Sequence, residues 1–151
     1  MATYIVSACL LGVPCRYDGR SKASAAVATQ VAAWKGQGHD CVAVCPEELA
    51  GLGTPRPAAE LRGGDGHAVL AGTAIVARCA DGADLTAAFV AGAQRGAAIA
   101  QGAVAAVLKA RSPSCGCGQT SIDGEVVAGD GVFAALLRQM AIEVRTDEDG
   151  D

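Results

Sequence analysis

The sequence predicts an α/β protein of the three-layer, Rossmann-like kind, with a mainly parallel sheet, helices on both of its faces and a small antiparallel ribbon. Two observations carry this reading. Short apolar runs alternate along the chain with longer alanine-rich stretches, the pattern of strand–helix–strand units whose strands are covered on both sides. The composition is 51% hydrophobic but only 3% aromatic, with 20 glycines, so the core is to be filled by small aliphatic side chains with backbones close together. At 151 residues the chain suits one domain, 1–151, long enough to bury a core without disulfides.

Each element follows from its local pattern. Residues 3–8, apolar and partly β-branched, read as a buried first strand. A polar, glycine-bearing loop covers 9–20, with a turn at Tyr17-Asp18-Gly19 where Asp18 holds Arg16 or caps the next helix. Residues 22–35 read as an alanine-rich helix ending near Lys35-Gly36. Residues 41–44 form a second short strand that stops at Cys45-Pro46, and the proline- and glycine-rich stretch 46–67 is predicted as loop with room for one helical turn. Residues 69–79 suit a short strand or two. Asp84 is a good N-cap for a helix over 85–100, on which Leu85, Phe89, Gly92, Gly96 and Ile99 share a face. Residues 103–108 read as a third buried strand and 109–119 as an unusual loop. Residues 121–129 read as a ribbon turning at Asp123-Gly124. A last helix (132–140), a last strand (142–145) and a frayed acidic tail complete the prediction.

The formal net charge of −4 argues against general electrostatic binding of nucleic acid, which needs a basic surface. It leaves room for a local basic patch. No apolar run is long enough for a membrane span, and the start lacks the basic region of a signal peptide. The expectation is a cytoplasmic protein with no membrane partner. Seven cysteines, an odd number in a reducing compartment, are poorly explained by disulfides; metal or thiol chemistry is the better default.

In parallel sheets, ligands sit beyond the C-terminal ends of the strands. The first strand ends at Cys9, the second at Cys45, and the third runs into Ser112-Pro113-Ser114-Cys115. Three cysteines from distant parts of the chain thus arrive on one sheet edge, as ligands of a metal or iron–sulfur centre. The competing reading is ordinary buried thiols, since cysteine is among the most buried residue types. Cys41 and Cys79 are read as core. Cys15 and Cys117 are second thiols in the same loops: outer neighbours, alternative ligands or bystanders. Cys115-Gly116-Cys117 is too short for a zinc knuckle. If only three thiolates hold a four-iron cluster, one iron is left open to act as a Lewis acid, an apt site for a sulfur-bearing substrate.

Polar residues flank the thiols. Glu47, beside Glu48, stands two positions past Cys45, where a carboxylate can activate water or carry a proton; a lone Glu would read as a solvated loop charge or a cap on a short helix at Pro46, and closeness to Cys45 makes the two readings about even. Ser112 and Ser114 can position a substrate, hydrogen-bond a sulfur or only shape the turn. Arg16, Arg56, Lys109 and Arg111 can make a locally positive pocket. A Walker phosphate loop, a full dinucleotide fingerprint and a Gly-x-Ser-x-Gly elbow are all missing from the sequence.

At these loops the sequence resembles the DUF523 family, which includes the bacterial thiouracil desulfidases. The resemblance rests on Ser7-Ala8-Cys9-Leu10-Leu11-Gly12 with Arg16-Tyr17-Asp18-Gly19, on Cys45-Pro46-Glu47-Glu48-Leu49-Ala50-Gly51-Leu52 with Pro55-Arg56-Pro57, and on Lys109-Ala110-Arg111-Ser112-Pro113-Ser114-Cys115-Gly116. It implies a [4Fe-4S] cluster on Cys9, Cys45 and Cys115. The implied reaction is non-redox removal of sulfur from 2-thiouracil, a small thiolated pyrimidine, giving uracil and sulfide. It also implies a catalytic role for Glu47 and for one of Ser112 and Ser114. Position 50 is alanine where many relatives carry glycine. Longer relatives act on thiolated transfer RNA through an added domain for which this chain has no room. Three alternatives stand beside it. One is a non-catalytic metal or iron–sulfur protein with Cys15 or Cys117 completing four ligands. Another is a sulfur-transfer protein using the Cys115 thiol, and the third is another thioamide substrate on the same cluster.

Overall fold

The computed structural model describes residues 1–148. Strand β1 (Thr3–Ser7) runs directly into a 3-10 turn over Ala8–Leu11. Helix α1 (Ala25–Gly36) begins at Ala25 rather than at Lys22, because the Ser24 hydroxyl accepts the Val27 N–H at 3.2 Å and sets the cap there. Asp18 neither holds Arg16 nor caps that helix; it accepts the Arg20 N–H at 3.0 Å and closes its own turn. Strand β2 (Asp40–Val44) leads through Cys45 into the one-turn helix α2 (Pro46–Leu49), with proline at the start where its missing N–H costs nothing.

The next stretch departs from expectation. The predicted loop over 46–67 contains, besides α2, strand β3 (Ala59–Arg62) and the start of helix α3 (Gly66–Leu70), and strand β4 (Ile75–Arg78) follows. Helix α4 (Thr86–Ile99) is the predicted one. Asp84 accepts the Thr86 N–H at 2.8 Å from one residue ahead of the cap position. Phe89, Gly92 and Gly96 are buried along α4, but Ile99 is 44% exposed and does not join their face. Strand β5 (Ala105–Leu108), hairpin strands β6 (Gln119–Ile122) and β7 (Glu125–Ala128), helix α5 (Val132–Gln139) and strand β8 (Glu143–Thr146) complete the order. The tail is tied down as far as it is described: the Asp147 N–H donates to Leu108 at 3.2 Å, and Glu148 pairs with Arg111. The rest of the predicted frayed tail, 149–151, lies outside the described residues.

The strands form two four-stranded sheets. The first, β2-β1-β5-β8, is parallel throughout. Side chains alternate across it as a strand's two-residue period requires. Ile5, Ala106 and Leu108 face a core shared with Phe89 of α4 and Phe133 of α5, while Val6 faces Val27 and Val31 of α1. Helices therefore cover both faces. The chain leaves β1 toward β2 on one side and returns to β5 on the other, which makes the β1/β5 boundary a topological switch point. The predicted ribbon is the β6–β7 half of the second sheet, β4-β3-β6-β7. It joins β3 through one parallel pair, Leu61 with Ile122, and Leu61 and Val76 bury into the same core as Phe133. Cys41 is half-buried; Cys79, expected in the core, is exposed at the end of β4, an outer strand. Among the described residues no helix is long and apolar enough to cross a membrane.

Candidate active site

The ends of β1, β2 and β5 open onto one cavity of about 300 Å³, and Cys9, Cys45 and Cys115 all line it. A fourth thiol, Cys15, lines it too. Three local devices put them there. The turn after β1 ends at Gly12 in the left-handed conformation (φ 93°), which reverses the chain and brings Cys15 back beneath Cys9. Backbone bonds from Lys22 and Ser24 to the carbonyls of Cys9 and Leu10, both 3.0 Å, fasten that loop to the start of α1. Cys45 is the N-cap residue of α2, and its thiol donates to the Cys15 carbonyl at 3.7 Å.

The Cys115 loop is built from its own serine and from α5. Ser112 Oγ accepts the N–H groups of Ser114 and Cys115, each at 3.1 Å. The first N–H groups of α5, which no helical carbonyl can satisfy, donate instead to this loop: Val132 to Pro113 at 2.9 Å and Phe133 to Ser114 at 2.8 Å. The approach is so close that a Cβ on Gly131 would lie 2.6 Å from the Ser114 backbone.

Glu47 projects from α2 into the cavity between two partners. Its Oε1 pairs with Arg56 Nε at 3.2 Å, and its Oε2 accepts the Ser114 hydroxyl at 3.3 Å. Ser112 lines the cavity, whereas Ser114 is 2% exposed and reaches the site through Glu47. The expected positive pocket is present: Arg16, Arg56, Lys109 and Arg111 line the cavity, joined by Lys22.

The thiols perturb one another. Cys9 is pushed below the usual thiol range by a hydrogen bond from Cys15, with Lys109 assisting and burial and the other thiols opposing. For Cys15, a bond to Cys45 pulls down, but the bond to Cys9, burial and the charges of Cys9 and Glu48 push its thiol up to about 11. Cys45 is raised strongly by the bond to Cys15 and by burial. Burial raises Cys115 to about 12 against the pull of the Ser7 hydroxyl. Crowded thiols of this kind hold protons that a bound cation displaces. They stand on separate segments, and among the described residues no three His, Cys, Asp or Glu side chains gather to chelate a single ion. Soft sulfur donors from separate segments that line one cavity suit an iron–sulfur cluster, which they would hold once deprotonated.

Two residues matter more than the sequence reading gave them. Cys15, which the sequence leaves as an outer neighbour, an alternative ligand or a bystander, is a cavity thiol; the signal in the sequence is Gly12 between it and Cys9. Arg56 is more than a positive charge in a signature segment: its guanidinium is buried against Glu47, and the prolines on either side, which stiffen its presentation, are the signal in the sequence. Cys117 goes the other way. Its thiol donates to the Val144 carbonyl at 3.4 Å and accepts from Arg138 at 2.6 Å, among β8 and α5. It does not line the cavity that Cys9, Cys15, Cys45 and Cys115 share.

A family model described as 2-thiouracil desulfurase matches residues 4–149. The chain is 40% identical over 150 residues to the uncharacterized protein YbbK of Bacillus subtilis, covering 96% of this chain and 95% of that one. Among solved structures it is similar to the [4Fe-4S]-dependent thiouracil desulfidase TudS, with a TM-score of 0.79 and 42% identity over 99% of this chain and 92% of that one.

Proposed function

The chain belongs to the 2-thiouracil desulfurase family, and from that premise we propose that it desulfurates 2-thiouracil in the cavity that Cys9, Cys45, Cys115 and Glu47 line together. That convergence is the observation that carries the reading. The thiocarbonyl sulfur leaves as sulfide, an oxygen from water takes its place on the ring carbon to give uracil, and no electrons are gained or lost. The cofactor is a [4Fe-4S] cluster, as in the similar desulfidase, and Cys9, Cys45 and Cys115 would hold it. When bound, it supplies a thiophilic Lewis-acid iron that carries no protein thiolate.

The chain's own groups do the rest. Glu47, anchored on both oxygens, accepts a proton from the attacking water. Ser114 orients the carboxylate. Ser112 uses its oxygen as an acceptor for two backbone N–H groups, which leaves its own proton to donate toward the ring. Lys109 and Arg16, which line the cavity, offset the negative charge that develops as sulfur departs.

One observation favours a second reading. Cys15 lines the same cavity, and as a fourth ligand it would make a closed, non-catalytic centre. Iron and sulfide content of Cys15→Ser separates the two. A full cluster with turnover supports the open site, and loss of the cluster supports the closed one.

The main test is anaerobic reconstitution with iron and sulfide, followed by 2-thiouracil. Uracil and sulfide should appear in equal amounts and vanish in Cys115→Ser. An intact cluster with no turnover would sink 2-thiouracil as the substrate.

A further inference from the structure

Resting on the reading above, we propose that Arg56 is a positioning residue for Glu47, holding its carboxylate toward Ser114 and joining it to the Cys15 loop. Arg56 Nε pairs with Glu47 Oε1 at 3.2 Å, and the two side chains are only 6% and 14% exposed. Nη2 donates to the Cys15 carbonyl at 2.9 Å, and Nη1 donates to the Gly53 carbonyl at 2.8 Å and to Thr54 Oγ1 at 3.1 Å. The Arg56 N–H is fixed in turn by the Tyr17 carbonyl at 2.7 Å. One planar fork therefore spans the segment that follows Cys9 and the turn that carries Glu47.

The consequence is directional. With Oε1 held by the guanidinium, Oε2 is the oxygen left to meet Ser114 at 3.3 Å. An isolated surface pair would swing between geometries and add little. A buried fork with three further acceptors does not swing, and its charge keeps the buried carboxylate paired. Lysine cannot replace it, since a single ammonium on a flexible stem cannot hold Glu47 and the Cys15 carbonyl in one plane. Arg56 does not reach the reacting atoms in this account; it acts through Glu47.

The test uses the anaerobically reconstituted protein with Arg56→Met and Arg56→Lys, the lysine variant guarding against misfolding. Iron and sulfide content should match the parent. With full cluster, kcat should fall roughly 10- to 100-fold while KM is little changed, the pattern expected when a catalytic group is displaced by about an ångström. Lysine should recover little of the loss, and added guanidinium should restore part of it in Arg56→Met. A crystal structure of the variant should show the Glu47 carboxylate turned away from Ser114 with β1 and β2 in place. Glu47 still on Ser114 in that structure would overturn the proposal. So would a rate loss that only tracks lost iron, or a change confined to KM. If the parent protein holds its cluster and fails to convert 2-thiouracil, the functional reading falls alone, and the crystal structure still decides where Arg56 holds Glu47.

Discussion

Ser112 and Ser114 bracket one proline, and their hydroxyls do different things. Ser112 Oγ satisfies two backbone N–H groups of the Cys115 turn. Removing it leaves both buried donors without a partner, at about 1–3 kcal/mol each. Ser112→Ala should therefore lower stability and the iron content after reconstitution. Ser114 Oγ donates to the Glu47 carboxylate, and a hydrogen bond to a charged group is worth about 1.5–3 kcal/mol. Ser114→Ala should keep the cluster and lose about 10- to 100-fold in kcat. Equal iron loss in the two variants would show that both hydroxyls only shape the loop. The sequence singled out both serines but could not rank them, because the partner that separates them lies 67 residues away. The same holds for Arg56, whose value is set by Glu47 and the Cys15 carbonyl and not by its own neighbours. Strand-end position, by contrast, is local, and it was enough to bring out Cys9, Cys45 and Cys115 together.

At the scale of elements, α2 is too short to hold itself, and α4 places it. A Cβ on Gly92 would lie 2.2 Å from the Pro46 carbonyl oxygen and 3.0 Å from Ala50. Backbone cannot yield that much, so Gly92→Ala must push α2 outward together with Cys45 and Glu47. The expected cost is about 1–3 kcal/mol in urea unfolding, with a loss of turnover greater than the stability change explains. Gly36→Ala is the control: a Cβ there meets nothing, and replacing a helical glycine should stabilise by up to about 1 kcal/mol. Unaltered turnover in Gly92→Ala would show that α2 can shift without moving the site. Elements with a dense local pattern, β1, α4 and α5, were legible from sequence. β3 was not: Ala59-Glu60-Leu61-Arg62 buries only Leu61 and becomes a strand by pairing with β4 and β6. Its proline- and glycine-rich surroundings pointed to loop, and only the tertiary partner overrides that.

Across the whole molecule, the ligands proposed for the cluster span positions 9 to 115 and stand on the segments that follow three strands of the parallel sheet. Alternating apolar runs made that sheet legible, whereas the second sheet depended on pairings between segments with weak individual signals. A group that binds these thiols only when β1, β2 and β5 are aligned stabilises the native state over the unfolded one. At a hundredfold excess over the dissociation constant this amounts to about 3 kcal/mol. For a chain of this length each kcal/mol raises the melting temperature by roughly 2–4 °C, so the cluster-loaded protein should melt roughly 6–12 °C above the cluster-free one under anaerobic conditions. Cys115→Ser should erase most of the difference, because it unties the β5 loop from the other two. Ser114→Ala should keep it, since that hydroxyl serves Glu47 and not the thiols. A shift that survives Cys115→Ser would mean that the group is held elsewhere, and the assignment of its ligands would fall with it.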